Sequence, residues 1–389
     1  MSKDIIILGS TGSIGSSTLS IIRNTDFKIK LLTTNTNVKK ILNQAIYFNV
    51  KDVIVENKDQ FKKFQNLFKK KRIRLHCGLK SVRKIVKKKV DYCVNSITGI
   101  DGLQPTLDII PLTKNILIAN KESLICGWHL IQKSLKKNNT NFIPLDSEHY
   151  SINNLIRYNN HSDINQVILT ASGGPFLNKP IKLINNVKPH IALKHPNWKM
   201  GKKISIDSST MMNKIFEYIE AKKIFKLKKK QLSILIHPSS FVHAIIFYKG
   251  GLIKFLAHEA KMTIPISNAL RIKSNKNNFF IKNNLLNFNK LNFKNPDKQK
   301  FPLLSLIRLI PEKDTYFETI LITLNDLLVY KYLKGQINYI SIQKNILNLI
   351  KKRYFTKYYK LKPNNIYDIK KIINLSQNYL EKNLKHYEN

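Results

Sequence analysis

Apolar residues in the first third of the chain fall into two alternating patterns. Short apolar or β-branched runs at residues 4–8, 27–33, 52–55, 73–76, 92–97 and 115–119 predict buried strands. Between them, the segment after Gly15 up to Arg23 and the stretches 59–69, 81–88 and 103–109 read as helices. This alternation predicts an α/β architecture, a Rossmann-type doubly wound parallel sheet with right-handed crossovers. Further strands are expected at 141–145, 166–170 and 203–206, followed by a helix at 211–221 opened by the capping residues Asp207-Ser208-Ser209-Thr210, so a second α/β domain follows the first. Residues 275–300 are polar and rich in Asn and Lys, and read as linker. Apolar residues return at helical spacing in 303–310, 319–332, 341–354 and 367–384, which predicts a C-terminal helical bundle. The expected division is 1–138, 139–272, a linker at 273–300, and 301–389.

Composition bounds this picture without changing it. The 389 residues are 43% hydrophobic and 10% aromatic, a globular balance. No apolar run reaches the roughly 18 residues of a membrane span, so no membrane partner is expected. Met1-Ser2-Lys3 leads straight into the first strand without a signal-peptide pattern, and three scattered cysteines (Cys77, Cys93, Cys126) form neither a disulfide framework nor a zinc pattern. A cytoplasmic location is the simplest expectation. The net charge of +43 invites a nucleic-acid reading, but the lysines are spread along the whole chain. No specific nucleic-acid partner is therefore expected, although anionic ligands are favoured.

The candidate chemistry sits where strands end. Gly9-Ser-Thr-Gly12-Ser-Ile-Gly15 lies between a strand and a helix, the context in which a glycine turn accepts a pyrophosphate. After the second strand, Thr33-Thr-Asn35-Thr-Asn37-Val-Lys39-Lys40 contains no acid to bind ribose hydroxyls and two lysines, which points to NADP. Asn120-Lys121-Glu122 follows the strand at 115–119, and reads equally as a helix start with a surface lysine. Asp146 and Glu148 are two residues apart, so at an extended strand end both point one way and repel unless a proton or a cation joins them. With Glu217 they make an all-oxygen set suited to Mg²⁺ or Mn²⁺, while His149 fits a further ligand and, more commonly for a lone His beside a carboxylate, a hydrogen-bonded neighbour. Ser172-Gly173-Gly174 is an anion-binding turn or merely a turn. On the helix 211–221, Asn213, Lys214 and Glu217 share a face. By themselves these three fit a phosphate and metal site, and they fit a solvated Lys–Glu pair on a surface helix as well.

Seven motifs then occur in order: GSTGSIG, ANKESL, PLDSEH, SGGPF, HPNWKMGKKISIDSSTMMNK, EYIEA and LIHPSSFVHA. Together, over roughly residues 4–268, they resemble the 1-deoxy-D-xylulose 5-phosphate reductoisomerases of the methylerythritol phosphate pathway. The resemblance implies that Asp146, Glu148 and Glu217 bind a divalent cation (Mg²⁺, Mn²⁺ or Co²⁺), and that Ser172, Ser208, Asn213 and Lys214 cradle the substrate phosphate. It implies further that Lys121, Ser147 and His195 contact the sugar backbone under a flap carrying Trp198 and Met200. Lys121, Asp146, Glu148, His195 and Glu217 would then be catalytic, with Glu148 and Glu217 also facing substrate. Thr11, Gly12, Ser13, Ile14, Asn37, Asn120, Glu122 and Gly201 match NADPH contacts, making 1–138 the cofactor domain and 139–272 the metal- and substrate-binding domain. A phosphorylated sugar substrate and a homodimer are implied as well.

This chain departs from the family's pattern in three places. The Gly-Lys pair before Asn37 is Asn35-Thr36, leaving Lys39 or Lys40 as substitutes beside the 2′-phosphate. The Glu-Pro-Asp-Met-Arg run reads Glu259-Ala260-Lys261-Met262-Thr263, and the Asn-Ala-Ala-Asn-Glu helix survives only as Ile322-Thr-Leu-Asn325-Asp326. Two other functions compete. A generic NADP-linked dehydrogenase of a phosphorylated sugar explains the glycine turn but not three carboxylates plus a phosphate cradle. A polyanion-binding protein on a degenerate enzyme fold explains the charge and the divergent C-terminal part.

Overall fold

The computed structural model describes residues 2–157, 160–198, 200–272 and 288–383. The chain divides into two compact units, the first Met1–Leu124, Trp128–Tyr150 and Lys261–Phe280, the second Ile125–Gly127, Ser151–Ala260 and Ile281–Asn389. The expected linker falls largely on residues 273–287, which lie outside the described residues.

In the first unit the predicted alternation is realised in order: β1 (Lys3–Leu8), α1 (Ser13–Ile22), β2 (Phe27–Thr34), α2 (Val38–Tyr47), β3 (Asp52–Val55), α3 (Lys58–Lys70), β4 (Arg74–Cys77), α4 (Val82–Ile85), β5 (Val90–Asn95), α5 (Leu103–Ile109), β6 (Thr113–Ile118), α6 (Lys121–Asn138) and β7 (Asn141–Pro144). The strands form one seven-stranded parallel sheet of order β4-β3-β2-β1-β5-β6-β7. Ile5, Ile6 and Ile7 of β1 are fully buried, as a strand covered on both faces must be. The strand order reverses between β1 and β5, which pair in parallel from Ile5 with Tyr92 to Leu8 with Asn95. Ligands of doubly wound sheets bind at that switch point, beyond the carboxyl ends of the strands. The helix expected over 81–88 stops at Ile85, because Val86 turns extended (φ −90°, ψ 99°) ahead of Lys87, Lys88 and Lys89.

After β7 comes α7 (Ser147–Ile156). The second unit then carries β8 (Ile164–Ala171), α8 (Pro189–Ala192), α9 (Lys202–Ser209), α10 (Met212–Ile224), β9 (Leu232–Ile236), β10 (Val242–Tyr248) and β11 (Ile253–Ala257). Its four strands form a mixed sheet of order β11-β10-β8-β9, in which β10 runs antiparallel to both neighbours and β8 parallel to β9. The β-branched runs of β9 and β10 carried a strand signal that the sequence reading used only as a motif. α11 (Thr263–Ala269) belongs to the first unit, whose core takes in Ile266, Ala269 and Leu270. The second unit closes with α12 (Phe317–Leu333), α13 (Tyr339–Leu349), α14 (Arg353–Thr356) and α15 (Ile366–Asn383), so the expected helical C-terminal part is present. Two details differ there. The stretch expected at 303–310 is a 3-10 helix, Pro302–Leu309, and the helix expected over 341–354 is broken into α13 and α14.

One expectation near the candidate site is overturned. Residues 203–206 do not form a strand but the middle of α9, which runs through Ser209 with Thr210 as its C-cap. The Lys-Ile-Ser-Ile alternation has strand periodicity, yet Ser205 and Ile206 are both buried, so the alternation does not mark one buried face. Asp207 to Thr210 therefore close α9 rather than cap the next helix. α10 starts beyond Met211, which takes a left-handed conformation (φ 63°) and has no side-chain capping bond.

Candidate active site

In the first unit β1 runs into the glycine turn. Gly9 sits at φ 75°, a conformation that disfavours any residue with a Cβ, and a Cβ on Gly15 would lie 2.5 Å from the Gly9 carbonyl oxygen. These two glycines let the turn fold tightly under α1. Gly12 and Ser13 at the start of α1 are exposed, and no side chain caps the helix there, so its first amides are open to an anion. Thr11 Oγ1 pairs with Thr34 Oγ1 at 2.8 Å, linking the turn to the end of β2. Asn37 caps α2, its side chain accepting from the Lys40 amide at 3.3 Å. Of the two substitute lysines, Lys40 reaches the turn: its Nζ donates to the Thr11 carbonyl and to Ser16 Oγ, both at 2.8 Å. Asn120 is committed to the fold, capping α6 through the Ser123 amide at 2.8 Å and donating to the Gly99 carbonyl at 2.5 Å. Glu122 is buried in the first turn of α6.

The two carboxylates at the end of β7 stand differently from expectation. Asp146 and Glu148 are not at an extended strand end, because the chain turns into α7 at Ser147. Asp146 sits just before the helix, accepting from the Glu148 amide at 3.3 Å through its side chain and from the Tyr150 amide at 2.8 Å through its carbonyl. Glu148 is in the first turn, with Ser147 Oγ donating to its Oε2 at 2.5 Å. Lys121 Nζ lies 2.7 Å from Asp146 Oδ2 and His149 Nδ1 3.1 Å from Oδ1. Burial opposes ionisation of Asp146, but Lys121 and His149 outweigh it and hold the carboxyl well below the usual carboxylate range. Asp146 is thus an anion, and His149 is its hydrogen-bonded neighbour, as the sequence reading favoured.

In the second unit β8 ends at the Ser172-Gly173-Gly174 turn, where both glycines have positive φ (81° and 68°). Ser172 Oγ lies 3.0 Å from His195 Nε2 and accepts from the Gly174 amide at 3.1 Å. His195 Nδ1 accepts from the amides of Asn197 (3.2 Å) and Trp198 (2.9 Å), so the ring proton sits on Nε2 and is donated to Ser172. The Ser172 hydroxyl, accepting twice, keeps its own proton to offer an anion. Burial agrees with this neutral ring, pushing His195 down to about 4. Protonation is therefore disfavoured in the folded chain. The His195 contribution to stability is complete above the ordinary value near 6.5 and is lost as pH falls from there through about 4. NMR of the His195 ring is expected to show the Nε2–H form at neutral pH and a titration midpoint lowered towards 4; an Nδ1–H form would contradict the tautomer, and a midpoint near 6.5 the effect of burial.

The region of α9 and α10 completes the set. Gly201 opens α9 and is exposed, while Ser208 near its end is half-buried. On α10, Asn213 Nδ2 donates to Glu217 Oε1 at 2.5 Å, and Lys214 Nζ pairs with Glu217 Oε2. Lys214 is 4% exposed and Glu217 1%, which rules out the solvated surface pair. Such a buried pair is costly to assemble and points to a site. Trp198 packs edge-on against His243 with centroids 6.0 Å apart, and Met200 is half-buried beside it in sequence. His243, Asp207 and Asn325, the last two hydrogen-bonded at 2.8 Å, were not singled out in the sequence as site residues. His243 lay inside a quoted motif, whereas the Asp207–Asn325 pair spans more than a hundred residues and leaves no local signal.

Family models cover the chain. The model for 1-deoxy-D-xylulose 5-phosphate reductoisomerase matches residues 5–127, and those for its C-terminal domains match 142–225 and 258–379. The chain belongs to this reductoisomerase family. The Pelagibacter ubique reductoisomerase is 46% identical over 95% of this chain and 96% of its own length. That of Thermoanaerobacter sp. is 36% identical over 99% of each. A solved DOX-P reductoisomerase in complex with NADPH, fosmidomycin and magnesium superposes with a TM-score of 0.88 at 32% identity, covering 98% of this chain and 99% of that one. The Zymomonas mobilis reductoisomerase in complex with NADPH gives 0.84 at 27% identity, with 97% of each covered. The reductoisomerase resemblance read from seven motifs is therefore borne out, and it extends through the divergent C-terminal helices.

Proposed function

We infer that this chain is an enzyme of the family's activity: the NADPH-dependent rearrangement and reduction of 1-deoxy-D-xylulose 5-phosphate to 2-C-methyl-D-erythritol 4-phosphate, with a divalent cation. The observation that carries this is family membership across both units, since a Rossmann sheet alone leaves the chemistry open. Site roles follow as proposals from the residues present. Asp146, Glu148 and Glu217, the set that the resemblance implies, would hold the cation, an all-oxygen set fitting Mg²⁺ or Mn²⁺. When bound, the cation polarises the substrate carbonyl and stabilises developing oxyanion charge. The chain's own residues prepare the rest. Ser172 offers its free proton, and Ser208, Asn213 and Lys214 their polar groups, to the phosphate. Lys121, Ser147 and His195 orient the sugar backbone, and Trp198 and Met200 cover it to exclude water. The open amides of α1 receive the pyrophosphate of NADPH, which supplies the hydride. The ¹³C NMR spectrum of the product tests the reading: a branched carbon skeleton supports it, whereas an unbranched polyol phosphate would mark an ordinary dehydrogenase.

With Thr36 in place of the family's lysine, neutral donors and the already engaged Lys40 face the 2′-phosphate. We expect NADPH to be preferred over NADH by a narrower margin than a lysine would give. Thr36→Lys should widen that margin by up to about tenfold in catalytic efficiency, about 1.4 kcal/mol. An unchanged ratio of efficiencies contradicts this placement.

We also propose a homodimer, supported by β11 at the edge of its sheet, where Ile253 is 52% and Phe255 44% exposed. Among the described residues no helix is long and apolar enough to cross a membrane. We propose a cytoplasmic location, supported by the free thiols of Cys77 and Cys93.

A further inference from the structure

From Ser205 to Met212 every residue is buried except Ser208. Its two chain neighbours are each held by a C-terminal helix. Asn325 of α12, itself fully buried, donates from Nδ2 to Asp207 Oδ1 at 2.8 Å. The other Asp207 oxygen lies 3.2 Å from Lys203 Nζ, which also reaches Asp326 of α12 at 2.9 Å. On the other side, Tyr339 of α13 donates its hydroxyl to Ser209 Oγ at 3.0 Å, and Ser209 Oγ donates to the Ile206 carbonyl at 2.7 Å. Tyr339 is fully buried, its ring edge-on to Phe176 and Tyr332. Successive helical residues are about 100° apart, so Asp207 and Ser209 sit about 200° apart around α9 with Ser208 between them. Anchoring both removes rotation of α9 about its axis.

We propose that α12 and α13 clamp α9 so that the Ser208 hydroxyl is aimed at the substrate phosphate, making Asn325 and Tyr339 positioning residues; this rests on the reading of Ser208 as a phosphate contact.

Tyr339→Phe removes one oxygen and keeps the ring, so the fold is retained. In the full-length enzyme with 1-deoxy-D-xylulose 5-phosphate, NADPH and Mg²⁺, this change is expected to raise KM for the sugar phosphate about fivefold with kcat within about twofold. In a Ser208→Ala background, itself expected to raise KM, the Tyr339→Phe effect should vanish, since the two act through one hydroxyl. Asn325→Leu should raise KM in the same direction, with a lowered melting temperature recorded alongside. A Tyr339→Phe enzyme with the parent KM, when Ser208→Ala has raised it, overturns the clamp. So does a Tyr339→Phe effect that persists undiminished without the Ser208 hydroxyl. If Ser208→Ala alone leaves KM unchanged, the phosphate role of Ser208 fails and the clamp's function falls with it.

Discussion

Glu217→Gln is expected to lower turnover at least about a hundredfold and to weaken Mn²⁺ binding by about ten- to a hundredfold. Gln keeps the shape and the Asn213 contact but removes one of three negative charges proposed for the cation. The change also reaches the fold, because the Lys214 ammonium, 4% exposed, loses its paired carboxylate. Removing one partner of a buried ion pair costs about 3 kcal/mol or more, so a lower melting temperature should accompany the lost activity. Metal affinity separates the two effects. Mn²⁺ titrated into the folded variant below its transition reads ligation directly. Parent-like Mn²⁺ affinity and turnover would remove Glu217 from the ligand set.

Lys214→Ala breaks the same ion pair from the other side and should act on a different ligand. The KM for the sugar phosphate is expected to rise about ten- to a hundredfold, the loss of one charge-assisted contact of about 1.5 to 3 kcal/mol. Stability should fall here too, since Glu217 is then buried without its cationic partner. Mn²⁺ affinity should weaken far less than in Glu217→Gln, because the side chain proposed as ligand is retained. The contrast between the two variants carries the argument: one loses the metal, the other the phosphate. If Lys214→Ala handles substrate normally while its melting temperature drops, Lys214 serves the fold alone.

The first unit was legible because both of its signals are local. Short β-branched runs such as Ile5-Ile6-Ile7, bounded by turn signals, read as strands buried on both faces, and the Gly9–Gly15 turn is required by backbone geometry within a few residues. The candidate site was legible as a set of residue types in order, but not as a set of conformations. Lys203 to Ile206 alternates like a strand, yet lies in a helix whose Asp207 and Ser209 are fixed by Asn325 and Tyr339 far along the chain. The turn at Ser147 was missed for a related reason. Asp146 is proposed as a metal ligand and is also the residue that opens α7, and spacing alone does not separate those roles. The Lys214–Glu217 pair has the composition of a surface helix, and only tertiary packing reveals that it is buried. Sequence reports residue chemistry well; depth is set by contacts it does not contain.

Metal-dependent reduction of a rearranged ketose phosphate consumes NADPH, whose absorbance can be followed. Purified chain is mixed with 1-deoxy-D-xylulose 5-phosphate and NADPH, first with Mg²⁺ or Mn²⁺ and then after chelation. NADPH absorbance should fall only when both the sugar phosphate and the cation are present, with the loss abolished by chelation and restored by adding metal back. NADPH oxidation that is indifferent to the metal, or none under any condition by a folded chain, would contradict this activity.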